Sequence, residues 1–383
     1  MKILFITHYD NMYGANMALY KLIKGLKTEY NQEPILLIPA KGKMTDELER
    51  LGVKCIVNPV TQWQAVYSTA FRFAVKRYMR KRQINHELEY LLELLKDEGI
   101  DVIHSNSSVI GIGAMLSKRL GCKHVWHIRE FSKEHFGMKY FYSDKAVKSY
   151  YEAADTLITI SDSLKENYVS KYPDANIIRI YDGVTGDESW RHAEDDKIIR
   201  FCYVGYLFRM KHQLDFIEAA KLLSLDGLNG FEIYIVGDGD AEYKSKLINK
   251  IEEYGLSDVV KMTGYVSDIQ DLYSKMHVGV IASEYEGFGL VTVEYMLHGM
   301  PVIGRRSGGT AEIIEDKKTG ILYENITELA MAMKQMIENG KERKMLGQAG
   351  IERAKEFFSE EKNTSQIIAL YSNMIKDNTD DCN

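Results

Sequence analysis

Short apolar runs alternate with longer amphipathic stretches along the whole chain. After the apolar segment Met1–Ile6, one series of runs comprises Ile35–Ile38, Val102–His104, His124–Ile128 and Thr156–Ile160. A second series comprises Ile198–Val204, Phe231–Val236, Val259–Thr263, Val278–Ala282 and Pro301–Ile303. Runs of this length between helical stretches are typical of parallel strands joined by crossover helices. The pattern therefore predicts an α/β protein with two doubly wound domains.

A polar stretch separates the two series. Residues Asp182–Glu188 and His192–Lys197 contain glycine and charged residues without a clear period, which is typical of a linker. We therefore predict an N-terminal domain over residues 1–185, a linker over residues 186–198 and a C-terminal domain over residues 199–358.

Composition and charge restrict the class of protein. Of 383 residues, 45% are hydrophobic and 27% are charged, and the net charge of −6 argues against nucleic acid as a partner. No apolar run approaches the roughly 20 residues of a membrane span, and Met1–Ile6 is too short for a signal peptide. The four cysteines are scattered, and nothing looks like a metal-binding Asp-x-Asp set or a His/Cys cluster. We therefore expect a cytoplasmic protein without a metal or other cofactor, whose contact with a membrane, if any, is peripheral.

The stretch Ser283–Glu294 contains the most informative chemistry. Glu286 precedes two glycines, Gly287 and Gly289, and Glu294 falls on the second turn of the helix predicted after them. The glycines let the backbone approach a ligand closely, and the helix N-terminus near Leu290 suits a phosphate. The two carboxylates then suit ligand hydroxyls. The alternative is that both acids are simply solvated surface residues.

Three further motifs accompany this stretch in order. They are the Val204–Leu207 strand end with Lys211 beyond it, the strand Met300–Gly304, and the glycine turn Ser307–Glu312. Together the four motifs resemble those of retaining glycosyltransferases of family 4, which have the GT-B fold. The resemblance covers roughly the whole chain and is strongest from Phe201 to Leu322.

The resemblance implies a fold and a separate binding role for each domain. Two Rossmann-like domains are expected to face a central cleft, the first binding the acceptor and the second the nucleotide-sugar, with a last helix at about residues 359–378 packing back on the first domain. Glu286 would hold the sugar hydroxyls and Glu294 the ribose hydroxyls. The backbone around Phe288, Gly289, Leu290, Gly308, Gly309 and Thr310 would take the phosphates.

Lys211 matches the cation that the family places on the donor diphosphate. The family usually adds an arginine directly after the preceding glycine, but Tyr206 stands there in this chain. Arg209 in the same loop is the candidate substitute, with Arg305 and Arg306 as weaker ones. The alternative for Arg209 is a plain surface arginine.

The first domain supplies fewer matches. In the loop after the first strand, only Gly14 agrees with the family's pattern, because Tyr13 and Asn16 replace its outer residues, and the loop lacks the three-glycine dinucleotide fingerprint. Gly14 either approaches the diphosphate or merely turns the chain into the helix. His127, at the end of a strand, matches the histidine that faces the transferred sugar in this family, although strand-end histidines are often structural. Arg129 and Glu130 either serve the acceptor or pair with each other.

A basic stretch, Phe71–Arg82, contains aromatic residues and no acid. Such a segment suits an anionic membrane surface and a lipid-linked acceptor, whereas the alternative is a solvated helix face. The candidate residues are Arg72, Lys76, Arg77, Arg80 and Lys81.

The sequence thus predicts a retaining transferase that moves a hexose-type sugar from a nucleotide-sugar to a glycan or lipid-linked acceptor in surface polysaccharide synthesis. We expect the nucleotide to be UDP because UDP-sugars are common donors. Two alternatives stay open. A GT-B epimerase or phosphorylase would need further catalytic acids or a cofactor lysine, which we do not identify. A non-catalytic GT-B partner subunit would tolerate loss of the site residues, yet Glu286, Glu294 and Lys211 are all present.

Overall fold

The computed structural model describes residues 1–12, 14–66, 69–131, 137–186 and 197–380. These form two compact units. The N-terminal unit comprises Met1–Gly183 and the C-terminal helix, and the C-terminal unit comprises Val184–Ser359. Tyr13 and residues 187–196 of the expected linker lie outside the described residues.

The N-terminal unit is built from short strands alternating with helices. Its strands are β1 (Lys2–Ile6), β2 (Glu33–Ile38), β3 (Lys54–Val57), β4 (Gln64–Val66), β5 (Val102–Asn106), β6 (Lys123–Ile128), β7 (Met138–Tyr140), β8 (Thr156–Thr159) and β9 (Ile177–Arg179). Its helices are α1 (Ala15–Thr28), α2 (Lys43–Arg50), α3 (Ala70–Leu95), α4 (Ile112–Leu120), α5 (Asp144–Glu152), α6 (Asp162–Lys171) and, at the C-terminus, α14 (Glu360–Asp380).

Within the described residues, seven of these strands form a parallel sheet in the order β3-β2-β1-β5-β6-β8-β9. The central strands are buried because helices cover both faces of the sheet, as the apolar run Ile3–Ile6 of β1 requires. The strand order reverses between β1 and its neighbours β2 and β5, so the loops after β1 and β5 leave the same edge on either side of a switch point. β4 and β7 form a separate antiparallel pair.

The C-terminal helix belongs to the N-terminal unit, although it is last in sequence. α14 packs on α1, where Gly25 lies so close to Thr364 that a Cβ on Gly25 would be 3.0 Å from its hydroxyl oxygen. Lys21 and Glu360 form an ion pair at 2.5 Å between the same two helices. Further along α14, Tyr371 is fully buried in the core of this unit.

The C-terminal unit repeats the alternation. Its strands are β10 (Ile199–Val204), β11 (Phe231–Val236), β12 (Val260–Gly264), β13 (Val278–Ile281), β14 (Val302–Arg305) and β15 (Gly320–Tyr323). Its helices are α7 (Gln213–Leu225), α8 (Ala241–Glu253), α9 (Ile269–Tyr273), α10 (Leu290–Leu297), α11 (Gly308–Ile313), α12 (Ile326–Glu338) and α13 (Gly340–Phe357), and a 3-10 turn covers Arg209–Lys211. The described strands form a parallel sheet in the order β12-β11-β10-β13-β14-β15.

The predicted fold class, two parallel-sheet α/β domains, is confirmed. The predicted strands are present with ends that differ by at most two residues, but the apolar pattern missed β3, β9 and β15 and the β4–β7 pair. β3 is a sheet-edge strand whose residues are partly or fully exposed, so it lacks the apolar run on which the prediction depends. Among the described residues, no helix is long and apolar enough to span a bilayer.

Candidate functional site

The loop between β13 and α10 lies at the carboxyl edge of the C-terminal unit's sheet. β13 ends at Ile281 and α10 begins at Leu290, so Glu286 lies in the loop and Glu294 on the second turn of the helix, as predicted. Gly289 is the N-cap of α10 with φ of 108°, a conformation that favours glycine. Phe288 points inward and is buried, with its ring centroid 5.6 Å from that of Phe358.

A second glycine turn, between β14 and α11, lies directly against this loop. A Cβ on Gly308 would be 2.4 Å from the backbone oxygen of Glu286, and a Cβ on Gly309 would be 2.4 Å from that of Phe288. The Gly309 N–H donates to the Glu286 carbonyl at 2.8 Å, and the Ser307 hydroxyl donates to the Glu284 carbonyl. The two turns are therefore fixed to each other, and the immediate reason for glycine at both positions is this contact.

Glu286 has the predicted diphosphate cation as its partner. Lys211 Nζ donates to Glu286 Oε2 at 2.8 Å, and the two side chains are 25% and 19% exposed. Lys211 lies in the 3-10 turn after β10, which the hydroxyl of buried Tyr203 anchors by donating to the Lys211 carbonyl at 2.8 Å. The result is a partly exposed, charge-assisted pair on an anchored backbone.

Glu294 has a different partner. Its Oε2 accepts from the Tyr273 hydroxyl at 2.9 Å. Burial, followed by the charge of Glu294, raises the pKa of Tyr273 well above its usual value, so the phenol keeps its proton and donates. The two acids are thus oriented independently, one by a cation and one by a neutral phenol.

The candidates for a second cation differ in their contacts. Arg305 bonds Asp215 at 3.3 Å, and Arg306 bonds Asp316 at 2.7 Å. Arg209 is exposed in the same 3-10 turn as Lys211 and has no side-chain ion pair or hydrogen bond within residues 197–380. Of the three arginines, Arg209 is therefore the one whose guanidinium is available to an anion.

The sequence analysis did not predict a polar cluster that lies beside Lys211. His212 adopts φ of 54° and caps α7, with Nδ1 3.4 Å from Asp215 Oδ1 and Nε2 3.3 Å from Glu284 Oε2. The hydrogen bond to Asp215 is the main cause that raises the pKa of His212, with the bond to Glu284 adding to it and burial opposing it. No sequence signal indicated this cluster, because Glu284 is 72 positions from His212.

Thr292 on the first turn of α10 and Thr310 on α11 add two buried hydroxyls. Neither Oγ1 atom has a hydrogen-bond partner in the described part of the chain. Buried hydroxyls are normally bonded. These two donors therefore remain available beside the two glycine turns, and Thr310 was among the predicted phosphate contacts.

In the N-terminal unit, Gly14 is the N-cap of α1 with φ of 45° and open space around the position of its missing Cβ. The loop before it is held by Asn16, whose buried amide accepts from the Thr7 hydroxyl at 2.6 Å and donates to the carbonyls of Tyr9 and Asn11. Asn16 therefore replaces the family's usual residue with a side chain that fixes the loop. Gly14 fits both interpretations given above.

His127 is the next-to-last residue of β6 and belongs to a buried chain of hydrogen bonds. Tyr371 Oη lies 2.6 Å from His104 Nδ1, His104 Nε2 lies 3.2 Å from His127 Nδ1, and Arg129 Nη2 lies 3.4 Å from the same His127 nitrogen. A guanidinium only donates, so His127 Nδ1 must be the acceptor. His104 then donates from Nε2 and accepts at Nδ1 from Tyr371.

This direction places the proton of neutral His127 on Nε2. Burial, followed by the charge of Arg129, lowers the pKa values of His104 and His127 well below the usual range, which keeps both rings neutral. His127 Nε2 is buried, has no hydrogen-bond partner among the described residues, and lies 3.9 Å from Asp182 Oδ1. The unit therefore contains an oriented N–H donor that is ready for an acceptor.

Arg129 and Glu130 do not pair with each other, which corrects one of the two interpretations. Arg129 Nη1 bonds both carboxylate oxygens of Asp182 at 2.5 Å, and Nε donates to Asn106 at 2.7 Å. Glu130 accepts from the Ser107 hydroxyl at 2.6 Å and from the Ser108 N–H at 2.8 Å. Both residues therefore brace the carboxyl edge of the sheet where β5 and β6 end.

A groove of about 310 Å³ lies near the same edge, beyond β2 and β3. It is lined by Pro39, Pro59, Val60, Thr61, Gln62, Gln64, Ala65, Lys76, Arg80, Gln83 and Phe141. Lys76 and Arg80 are thus placed at a groove of amides and a hydroxyl. Arg72 and Arg77 are exposed on α3, and Lys81 Nζ lies 4.5 Å from the ring centre of Tyr142. Across the described ranges, no group of three or more His, Cys, Asp or Glu residues is placed to hold a metal ion.

Comparisons with known proteins agree with this architecture. The family model for Glycosyltransferase Family 4 matches residues 14–188, and the model for Glycosyl transferases group 1 matches residues 185–353. An uncharacterized glycosyltransferase of Methanocaldococcus jannaschii is 28% identical over 73% of this chain and 78% of its own length. The capsular polysaccharide biosynthesis glycosyltransferase CapH of Staphylococcus aureus is 23% identical over 82% of this chain and 83% of its own length.

Among solved structures, HepE of Anabaena in complex with UDP has a TM-score of 0.79 and 20% identity, covering 97% of this chain and 100% of that one. Two parallel-sheet units of this kind, with an acid pair flanking a glycine loop, are typical of GT-B glycosyltransferases. The chain belongs to the group 1 family of GT-B glycosyltransferases, which confirms the predicted family.

Proposed function

We propose that the chain is a retaining transferase that moves a hexose-type sugar from a UDP-sugar to a glycan or lipid-linked acceptor in surface polysaccharide synthesis. The observation that supports this best is the Lys211–Glu286 pair, 2.8 Å apart beside two mutually fixed glycine turns. A cation and a carboxylate in contact can bind the two parts of a sugar diphosphate. The cation binds the phosphates, and the carboxylate accepts hydrogen bonds from the sugar hydroxyls.

The diphosphate would bind at the start of α10. The N–H groups near Leu290 and the ammonium of Lys211 would supply positive potential there, and the guanidinium of Arg209, from the same 3-10 turn as Lys211, would add to it. Glu294, held by Tyr273, would accept from the ribose hydroxyls. The choice of uridine rests on a structural neighbour, because HepE of Anabaena was solved with UDP and with UDP-glucose.

We propose Glu286 as a contact of the transferred sugar, and we keep His127 as a further candidate for such a contact. Glu286 offers carboxylate oxygens to sugar hydroxyls once Lys211 turns to the phosphates. His127 offers the Nε2–H donor, which has no acceptor within the described chain. His127 does not need to change its protonation state, because burial and the charge of Arg129 hold its pKa low.

In the proposed step, the acceptor oxygen bonds to the anomeric carbon on the face that the diphosphate is leaving. The breaking C–O bond gives its electron pair to the diphosphate, and the acceptor's hydroxyl proton passes to a phosphate oxygen of that leaving group. The anomeric configuration is retained without a protein nucleophile. Lys211, Arg209 and the α10 N-terminus would offset the leaving charge, so we propose that no metal cofactor is required.

The proposed acceptor class is based on a relative and on the groove of the N-terminal unit. The name of the Staphylococcus aureus relative places that protein in capsular polysaccharide synthesis. The groove lined by Lys76, Arg80 and glutamine amides suits a sugar that bears a phosphate. We therefore propose that the acceptor binds there.

The test is release of free nucleoside diphosphate from a panel of UDP-, GDP- and ADP-sugars without acceptor. We expect slow hydrolysis of one UDP-sugar by the wild type and a loss of at least about 100-fold in Glu286→Gln, the size expected when one transition-state contact is removed. Glu242→Gln is the matched control, because Glu242 is an exposed acid on α8 of the same unit.

Turnover that disappears in Glu286→Gln, but not in Glu242→Gln, would support the enzyme. With an acceptor, proton NMR of the product should show the donor's anomeric configuration, and an inverted product would reject the retaining mechanism. Absence of turnover together with absence of donor binding would favour the non-catalytic partner subunit.

A further inference from the structure

The first half of α3 presents an apolar stripe to solvent. The stripe consists of Phe71, Val75, Tyr78 and Met79, which are 78%, 45%, 64% and 63% exposed. Their spacing of i, i+4, i+7 and i+8 places them on one face of the helix. Large apolar side chains gathered on one exposed face indicate an interaction surface.

Contacts on the opposite side fix this orientation. The Phe73 and Phe141 ring centroids lie 5.6 Å apart, and Lys81 Nζ lies 4.5 Å from the ring centre of Tyr142. These contacts hold α3 on the N-terminal unit by the face that the stripe does not occupy. The stripe therefore cannot turn inward without breaking them.

Cations lie beside the stripe and within it. At 3.6 residues per turn, Arg72 and Lys76 fall along one border. Arg82 follows Tyr78 by one turn on the face of the stripe, with its guanidinium 5.9 Å from the Tyr78 ring centre, and Arg77 is a further exposed cation of the same helix half. No carboxylate occurs from Ala70 to His86, in a chain whose net charge is −6. The helix half is thus a basic, apolar surface on an acidic molecule.

We propose that this surface docks on a bilayer that contains anionic lipids. The stripe would enter the interfacial region, and these cations would bind the lipid phosphates. Charge complementarity selects this partner, because an anionic surface attracts α3 and repels the acidic remainder of the molecule. The inference goes beyond the transfer reaction and is tested without any substrate.

The test is co-sedimentation with phosphatidylcholine vesicles, prepared with and without about 30% phosphatidylglycerol. The charge variant combines Arg72→Glu, Arg77→Glu and Arg82→Glu, leaving the groove residues Lys76 and Arg80 intact. Its control combines Lys24→Glu, Lys118→Glu and Lys145→Glu, which are exposed lysines of the same unit and give the same change of net charge.

The stripe variant combines Phe71→Ser, Tyr78→Ser and Met79→Ser. Its control combines Leu225→Ser, Met331→Ser and Met345→Ser, which are similarly exposed apolar residues of the C-terminal unit. Far-UV circular dichroism checks that each variant is folded. If the triple stripe variant is not folded, the single variant Phe71→Ser replaces it in the experiment.

We expect the wild type to sediment with anionic vesicles only, and less at high salt. The charge variant should bind at least about 100-fold more weakly, at roughly a factor of five for each of the three lost cations. The stripe variant should also lose binding, whereas both controls should retain it. Wild-type protein that stays in solution, or controls that lose binding as much as the variants, would overturn the proposal. A concentration-dependent dimer that the stripe variant abolishes, without vesicle binding, would assign the surface to a second copy of the chain instead.

Discussion

At the scale of single residues, His212 connects the two loops that form the candidate donor site. Its ring lies between Asp215, on the first turn of α7, and Glu284, in the loop that contains Glu286. Because the neighbouring residue Lys211 bonds Glu286, the backbone of one turn presents a histidine and a lysine to the same acidic loop. The raised pKa of His212 follows from its two carboxylate partners.

Replacing His212 should produce a stability difference that depends on pH. Because the folded-state pKa is above the unfolded value of 6.5, the folded protein retains a proton that the unfolded chain has lost. The stabilisation is therefore full below about pH 6.5 and is lost as the pH rises through the folded-state pKa. We expect the difference in urea midpoint between wild type and His212→Gln to be larger at about pH 5.5 than at about pH 8.5. A difference that does not change with pH would show that the ring is not held charged.

The sequence predicted the site residues that follow strands, but not the ones that orient them. Glu286 and Lys211 were identified from local motifs. Tyr273, His212 and Asn16 were not, because the partner of each is fixed only when the chain folds. Tyr273, for instance, meets Glu294 across 21 positions through a side-chain contact that leaves no local pattern.

At the scale of elements, α14 supplies the first donor of a hydrogen-bond chain inside the N-terminal unit. Its Tyr371 donates to His104 on β5, which donates to His127 on β6. Arg129, held by Asp182, fixes the direction of the chain by donating to the same histidine nitrogen. The C-terminal helix thus contributes a proton donor to the core of the first unit in addition to its packing.

The tautomers of both histidines are measurable by nitrogen-15 NMR of the imidazole rings. We expect His104 and His127 to be neutral Nε2–H tautomers that do not titrate between about pH 6 and pH 8, because burial and Arg129 lower both pKa values. In Tyr371→Phe, His104 loses its donor and its ring signals should shift, with a loss of roughly 1 kcal/mol in the free energy of unfolding. A His127 ring that titrates near 6.5, or that is protonated on Nδ1, would contradict this account.

Some secondary-structure elements could be predicted from the sequence and others could not. The units β13–loop–α10 and β14–loop–α11 were predicted because each joins an apolar run to a glycine turn and a helix. The short β4–β7 pair was missed because its antiparallel partners are far apart in sequence and too short to show alternation.

At the scale of the whole molecule, topology explains why distant motifs share a site within one unit. β10 and β13 are neighbours in the parallel sheet, so the loops after them, which contain Lys211 and Glu286, leave the same edge side by side. β5 and β6 are likewise neighbours, which brings His104 to His127. Once two doubly wound domains are inferred, the proximity of these side chains follows from the order of the strands in each sheet. The exposure of the apolar stripe on α3 could not be predicted from strand order. Which face of a helix is exposed depends on how its other face packs against the rest of the protein.

The central claim is that Lys211 binds the diphosphate and Glu286 binds the sugar. Calorimetric titration of UDP and of the UDP-sugar that the enzyme turns over, into wild type, Lys211→Met and Glu286→Gln, tests it directly. The account predicts that Lys211→Met weakens binding of both ligands by at least about tenfold, since a charge-assisted contact to phosphate is lost. Glu286→Gln should weaken only the UDP-sugar and leave UDP binding equal or tighter, because a negative charge near the phosphates is removed. Equal losses for both ligands in both variants, or binding that neither variant changes, would contradict the assignment.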